Sequence, residues 1–128
     1  MYTAIIIEDE YPAILRLKHM VGLHSDAITL LTHVDTGRAG IESVNSLRPD
    51  VIFLDIHLPD MTGFEVLNAL DYQPMVIFTT AYAEYAVQAF EVFSVDYLVK
   101  PFEESRFRKA IEKIAHFKQV ESPPDYAK

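Results

Sequence analysis

Glu8, Asp9, Asp55, Thr80 and Lys100 are the side chains best suited to phosphate and cation chemistry, and each closes a short apolar run. Glu8 and Asp9 follow Ala4-Ile5-Ile6-Ile7, Asp55 follows Val51-Ile52-Phe53-Leu54, and Thr80 follows Met75-Val76-Ile77-Phe78-Thr79. Lys100 follows Val95-Asp96-Tyr97-Leu98-Val99. Taken singly, an acid after a strand is an ordinary loop or helix-capping residue. Taken together, carboxylates gathered on one rim repel, and a divalent cation is the simplest remedy. Hard oxygen ligands suit Mg2+, which keeps several waters and takes one or two protein carboxylates. Beside such an ion Asp55 could attack a phosphoryl group in line and form an acyl phosphate. Lys100 would then pair with the phosphoryl oxygens as a point charge, and Thr80 would donate a hydrogen bond to one of them.

That chemistry requires the strand ends to meet. Continuous apolar runs such as Ile5-Ile6-Ile7 suit parallel strands covered on both faces. Ala27-Ile28-Thr29-Leu30-Leu31-Thr32 and Val95-Asp96-Tyr97-Leu98-Val99 admit polar residues, as edge strands do. Between the runs lie stretches of helical period. Ile14, Leu17, Met20 and Val21 share a face of a helix that Pro12 could begin. Gly37, Ile41, Val44 and Leu47 line the next, and Phe64, Leu67 and Leu70 a short third closed by Pro74. On the fourth, Tyr82, Ala86, Ala89, Phe90 and Phe93 are expected to face inward; Phe107, Ala110, Ile111, Ile114 and Phe117 form the last stripe. The pattern is (βα) five times, hence an α/β fold with one five-stranded parallel sheet, doubly wound. Five strands cannot close an eight-stranded barrel. The flavodoxin-like order 2-1-3-4-5 puts the first and third strands side by side at the switch point, where open sheets of this kind bind ligands.

The 128 residues suit one domain. The chain has no cysteine, so disulfides and thiolate chemistry are excluded, in keeping with a reducing, cytoplasmic setting. No apolar run approaches the roughly 20 residues of a membrane span. With 19 acidic against 11 basic residues and a net charge of −8, the domain itself is not expected to bind DNA. His19, His24, His33 and His116 follow no metal-ligand spacing and are read as surface residues.

Ordered along the chain, Ile7-Glu8-Asp9-Glu10, Val51-Ile52-Phe53-Leu54-Asp55-Ile56-His57-Leu58-Pro59, Gly63, Phe78-Thr79-Thr80-Ala81 and Tyr97-Leu98-Val99-Lys100-Pro101-Phe102 make a specific set. Residues 1–118 resemble the receiver (CheY-like) domain of two-component response regulators. Residues 119–128, with Ser122-Pro123-Pro124, read as a tail or the start of a linker to an effector domain. The stretch from Ala81 to Glu91, with Asp96 to Phe102, resembles the LytTR (LytR/AlgR) subgroup, whose members usually carry a C-terminal DNA-binding domain.

The resemblance implies a signalling phosphoacceptor, not an enzyme acting on a separate substrate. Asp55 takes a phosphoryl group from a sensor histidine kinase. Asp9 and Asp55 ligate Mg2+, Glu8 acts mainly through metal-bound water, and the His57 backbone carbonyl completes the site. Thr80 and Lys100 bind the phosphoryl group; small Ala81 leaves the pocket open. Tyr97 matches the switch aromatic that turns inward with Thr80, and Lys100-Pro101 matches a bond that is usually cis. Tyr97 as a half-buried edge aromatic and Pro101 as a strand terminator are the plainer alternatives. The His57 imidazole belongs at the pocket mouth, where with Tyr82 it could influence how water reaches an acyl phosphate. Phe90, Val92 and Phe93 exceed what a short fourth helix needs to bury. They are either all core or part of a homodimer surface formed by the fourth helix, fifth strand and fifth helix.

Three other readings fit less well. A haloacid dehalogenase-like phosphatase normally has a second Asp two residues after its nucleophile, where this chain has His57. A flavodoxin-like cofactor module needs a phosphate loop after the first strand, where Glu8-Asp9-Glu10 would repel phosphate. An interaction-only or single-domain receiver is the nearest alternative; the complete acidic, Thr and Lys set argues against the former.

Overall fold

The computed structural model describes residues 1–119, with side chains described through Phe117. Five strands, β1 (Tyr2–Ile7), β2 (Ile28–Val34), β3 (Val51–Leu54), β4 (Met75–Thr80) and β5 (Asp96–Val99), alternate with five helices. These are α1 (Tyr11–Gly22), α2 (Gly37–Leu47), α3 (Gly63–Asn68), α4 (Ala86–Glu91) and α5 (Glu104–Gln119). The sheet is parallel throughout, in the order β2-β1-β3-β4-β5. The expected tail lies outside the described residues apart from Gln119, which ends α5.

Alternate residues of the central strands feed two cores, which is why these strands read as unbroken apolar runs. Ala4, Ile6, Phe53 and Ile77 pack with Leu17 of α1 and Phe107 and Ile114 of α5. Ile5, Ile7, Ile52, Leu54 and Phe78 pack with Val44 of α2, Val66 of α3 and Ala89 of α4. Each Val, Leu, Ile or Phe among them contributes about 1.5–3 kcal/mol by leaving water. At the β2 edge the register slips between Ala4 and Ile5, leaving Leu31 without a partner in β1. A bulge of this kind twists an edge strand away from further pairing.

Several details depart from the sequence expectations. Strand β4 continues through Thr79 and Thr80, and β2 runs on to Val34. In α3 the fully buried side chain is Val66, with Phe64, Leu67 and Leu70 half-buried around it. Leu47 of α2 is exposed. The largest correction concerns the fourth helix: Tyr82 and Ala86 are exposed and Phe90 is 82% exposed, leaving Ala89 as the buried contact. Physically, a 3-10 turn over Ala83–Tyr85 precedes a helix of only six residues, so a single helical phase does not run from Tyr82 to Phe93. Phe93 then leaves the helix with φ 62° and its ring lies 4.7 Å from that of Phe117. His24 is not a free surface residue: it is half-buried, 3.0 Å from Glu104, with its ring 5.8 Å from Phe107.

Candidate functional site

The strand tips beyond β1, β3 and β5 are tied to their neighbours by backbone hydrogen bonds. Asp55 N donates to Ile7 O at 3.1 Å, so the β1–β3 ladder extends to Asp55. Lys100 N donates to Thr80 O at 2.8 Å, fixing the base of the Lys100 side chain against the end of β4. Glu8 N donates to Val34 O at 3.0 Å. The fold therefore delivers the candidate residues by backbone geometry, before any side chain makes a contact.

Oxygen atoms from Glu8, Asp9 and Asp55 lie within 4.8 Å of one another. Glu8 is wholly buried and Asp55 nearly so, while Asp9 is exposed. The Lys100 ammonium reaches into this group, 2.6 Å from Glu8 Oε1, 3.2 Å from Asp55 Oδ2 and 3.2 Å from Glu10 Oε1. Burial pushes the Glu8 carboxyl up to about 7 against the Lys100 hydrogen bond, which pulls it down; the Asp55 charge adds to the rise. Burial would lower the Lys100 ammonium, but Glu8 and Asp55 outweigh it and hold it above its usual value. Three oxygen donors of hard, anionic character, one of them open to solvent, fit a small divalent cation that keeps part of its water shell.

The loop after β3 is built around Asp55. His57 N donates to Asp55 Oδ1 at 3.3 Å, and His57 pairs with Thr62 across the loop. Thr62 caps α3 in a capping box with Glu65. Gly63 opens that helix directly against the phosphoacceptor candidate, where an added Cβ would stand 2.6 Å from Asp55 O. Asp60 reaches across to the start of α2, accepting from Gly37 N at 2.7 Å and Arg38 N at 3.0 Å. Those hydrogen bonds hold the Asp60 carboxyl below the usual carboxylate range.

Thr80 is fully buried at the end of β4, its Oγ1 accepting from Tyr82 N at 3.3 Å. Ala81 and Tyr82 are exposed beyond it. Tyr97 is half-buried, its ring 6.1 Å from Phe78, and its hydroxyl donates to the Tyr82 carbonyl. The Lys100–Pro101 peptide bond is cis. Two participants escaped the sequence reading: Glu10 as a third partner of Lys100, and Asp60 as the clamp on α2. The first lay inside a quoted motif; the second joins positions 23 residues apart and leaves no local signal.

Fold and cleft together define a doubly wound α/β domain with an acidic rim and one lysine at the switch point. Residues 4–112 match the family model for the response regulator receiver domain, and the chain belongs to that family. It is 36% identical over 122 residues to the sensory transduction protein LytT of Bacillus cereus and 38% identical over 116 residues to the transcriptional regulatory protein BtsR of Escherichia coli. These alignments cover 93% and 89% of this chain but 49% and 48% of the relatives, so the chain spans about half their length. The response regulatory domain of protein mrkE from Klebsiella pneumoniae superposes with a TM-score of 0.83 at 30% identity, covering 93% of this chain and 99% of that one. The expected LytTR-type receiver resemblance and the 2-1-3-4-5 sheet hold. Among the described residues, no helix is long and apolar enough to cross a membrane.

Proposed function

We propose that this domain is the phosphoacceptor of a two-component phosphorelay, taking a phosphoryl group from the phosphohistidine of a sensor histidine kinase onto Asp55. The observation that carries the reading is the convergence of the Glu8, Asp9 and Asp55 carboxylates within 4.8 Å, with Lys100 beside Glu8 and Asp55. Glu8, Asp9, Asp55 and the His57 backbone carbonyl would hold Mg2+, with Glu8 acting through metal-bound water. When bound, the ion supplies positive charge that screens Asp55 and neutralises the phosphoryl oxygens.

An Asp55 oxygen attacks phosphorus in line. The new O–P bond forms as the N–P bond of phosphohistidine breaks, leaving its electron pair on the kinase imidazole. Lys100 exchanges its carboxylate partners for phosphoryl oxygens, and the Thr80 hydroxyl turns to donate to another. Ala81 leaves room for the group, and Tyr97 follows Thr80 inward.

The output surface is that of α4, β5 and α5, where Val87, Phe90 and Val99 are 72%, 82% and 38% exposed. It forms a phosphorylation-strengthened homodimer; unchanged sedimentation with beryllofluoride would count against this. The relatives' greater length and the naming of one as a transcriptional regulatory protein support a DNA-binding effector and control of transcription, which would place the protein in the cytoplasm. Incubation with acetyl phosphate and Mg2+, read by intact mass, tests the chemistry. A single added phosphoryl group, absent in Asp55→Asn, is expected; turnover of a small phosphate ester would instead favour a hydrolase.

A further inference from the structure

Three rings gather where the loop after β3 meets the residues that follow β4. The His57 imidazole lies 4.5 Å from the Tyr82 ring and 5.2 Å from the Tyr85 ring, and Tyr82 and Tyr85 are 6.2 Å apart. The Tyr85 hydroxyl is 3.1 Å from His57 Nε2, joining the loop after β3 to the turn that opens α4. The two ends of this bond differ in freedom. Tyr85 is half-buried, its ring 6.5 Å from Phe64, so its hydroxyl projects from a packed base. His57 is exposed, with its backbone held through Asp55 Oδ1 and Thr62. An exposed imidazole on a fixed backbone samples several rotamers unless something selects one. In the rotamer seen, the imidazole bonds the Tyr85 hydroxyl and lies against the Tyr82 ring.

We propose that Tyr85 is a positioning residue whose hydroxyl holds the His57 imidazole across the mouth of the Asp55 pocket and so slows hydrolysis of the acyl phosphate. The inference rests on Asp55 being the phosphoacceptor. Hydrolysis brings water in line with the bond from Asp55 to phosphorus. A water oxygen bonds to phosphorus as the Asp55 O–P bond breaks; its electron pair returns to the carboxylate, a proton passes to solvent, and inorganic phosphate leaves. Asp55 is 5% exposed, so that water must enter through the mouth. Rings pinned there narrow the entry, and loss of the hydroxyl frees the imidazole to swing out.

The test compares the wild type, Tyr85→Phe, His57→Leu and the double variant. Each is loaded with acetyl phosphate, and loss of the phosphoryl group is followed by intact mass. Y85F keeps the ring and its packing but loses one hydrogen bond, so dephosphorylation should quicken roughly three- to fivefold. The double variant should lose the group no faster than H57L, because the hydroxyl acts only through the imidazole. In Y85F the His57 ring resonances should shift while the melting temperature stays within about 2 °C of wild type. An unchanged lifetime in Y85F, or an equal effect of Y85F with and without His57, overturns the role of Tyr85 alone. A wild-type protein that never takes up the phosphoryl group overturns the Asp55 reading and this role with it.

Discussion

Lys100 Nζ lies 2.6 Å from Glu8 Oε1, an ion pair whose carboxylate is wholly buried and whose ammonium side chain is 16% exposed. It joins the tips of β1 and β5, strands that are not neighbours in the sheet. The same ammonium serves Asp55, so the cleft is held together by the cation that is proposed to release it for phosphate.

Replacing Lys100 by Met should therefore cost stability as well as phosphorylation. Breaking a buried pair typically costs about 3–5 kcal/mol. Partial exposure of the amine and the capacity of Glu8 to take up a proton reduce this to about 2 kcal/mol. Urea unfolding near neutral pH checks the value; an unchanged midpoint would mean that the pair contributes nothing.

Mg2+ should stabilise the domain by binding the folded state alone. At tenfold excess over Kd the linkage amounts to about 1.4 kcal/mol, or a rise of about 3–6 °C in Tm. Chelation should reverse the rise, and Asp9→Asn should abolish most of it. An equal rise in the Asp9 variant would place the ion elsewhere.

A second charged cluster controls acid stability. Asp96 opens β5 in a buried position, paired with both terminal guanidinium nitrogens of Arg106 at 2.7 and 2.8 Å and with Lys113 at 3.2 Å. Burial alone would raise its carboxyl, but Arg106, the Tyr97 amide and Lys113 hold it below the usual range. A depressed carboxylate stabilises the fold above its unfolded pKa near 3.9 and loses that contribution as pH falls through the folded value. Arg106→Gln should thus cost about 1–2 kcal/mol at pH 7, discounted for the exposure of Arg106. The difference from wild type should shrink below about pH 4. A gap independent of pH would point to lost packing instead of lost charge.

Three glycines should respond differently to alanine. At Gly63 a new Cβ meets the Asp55 backbone oxygen at 2.6 Å, which cannot give way without moving the candidate nucleophile. At Gly37 it meets the Met61 side chain at 2.3 Å, a flexible group able to move, and at Gly22 nothing lies within 4 Å. Expected losses are about 2 kcal/mol for G63A, less for G37A, and none or a slight gain for G22A. Thermal melts rank them, and a G63A protein as stable as G22A would contradict the packing around Asp55.

The strand tips were legible in the sequence because each is marked twice, by a β-branched or aromatic run and by the polar residue that ends it. Ile5-Ile6-Ile7 before Glu8 is the plainest case. Period failed where an element is too short to show one. Residues 82–93 hold a 3-10 turn, a six-residue helix and a residue at positive φ, so a stripe drawn through Tyr82 and Phe90 had no single helix to lie on. Long-range polar pairing was invisible for another reason. Asp60 with the α2 amides and His24 with Glu104, 80 residues apart, are set by tertiary approach, and neither member carries a mark in its own neighbourhood.

Acceptance of the phosphoryl group by the Asp55 carboxylate can be read at the residue itself. Its most direct measurement is to treat the wild-type domain with acetyl phosphate and Mg2+, trap the acyl phosphate by borohydride reduction, and locate the reduced residue by peptide mass mapping. Modification at Asp55, dependent on Mg2+, is expected. Modification at Glu8 or Asp9, or at no carboxylate, would contradict it.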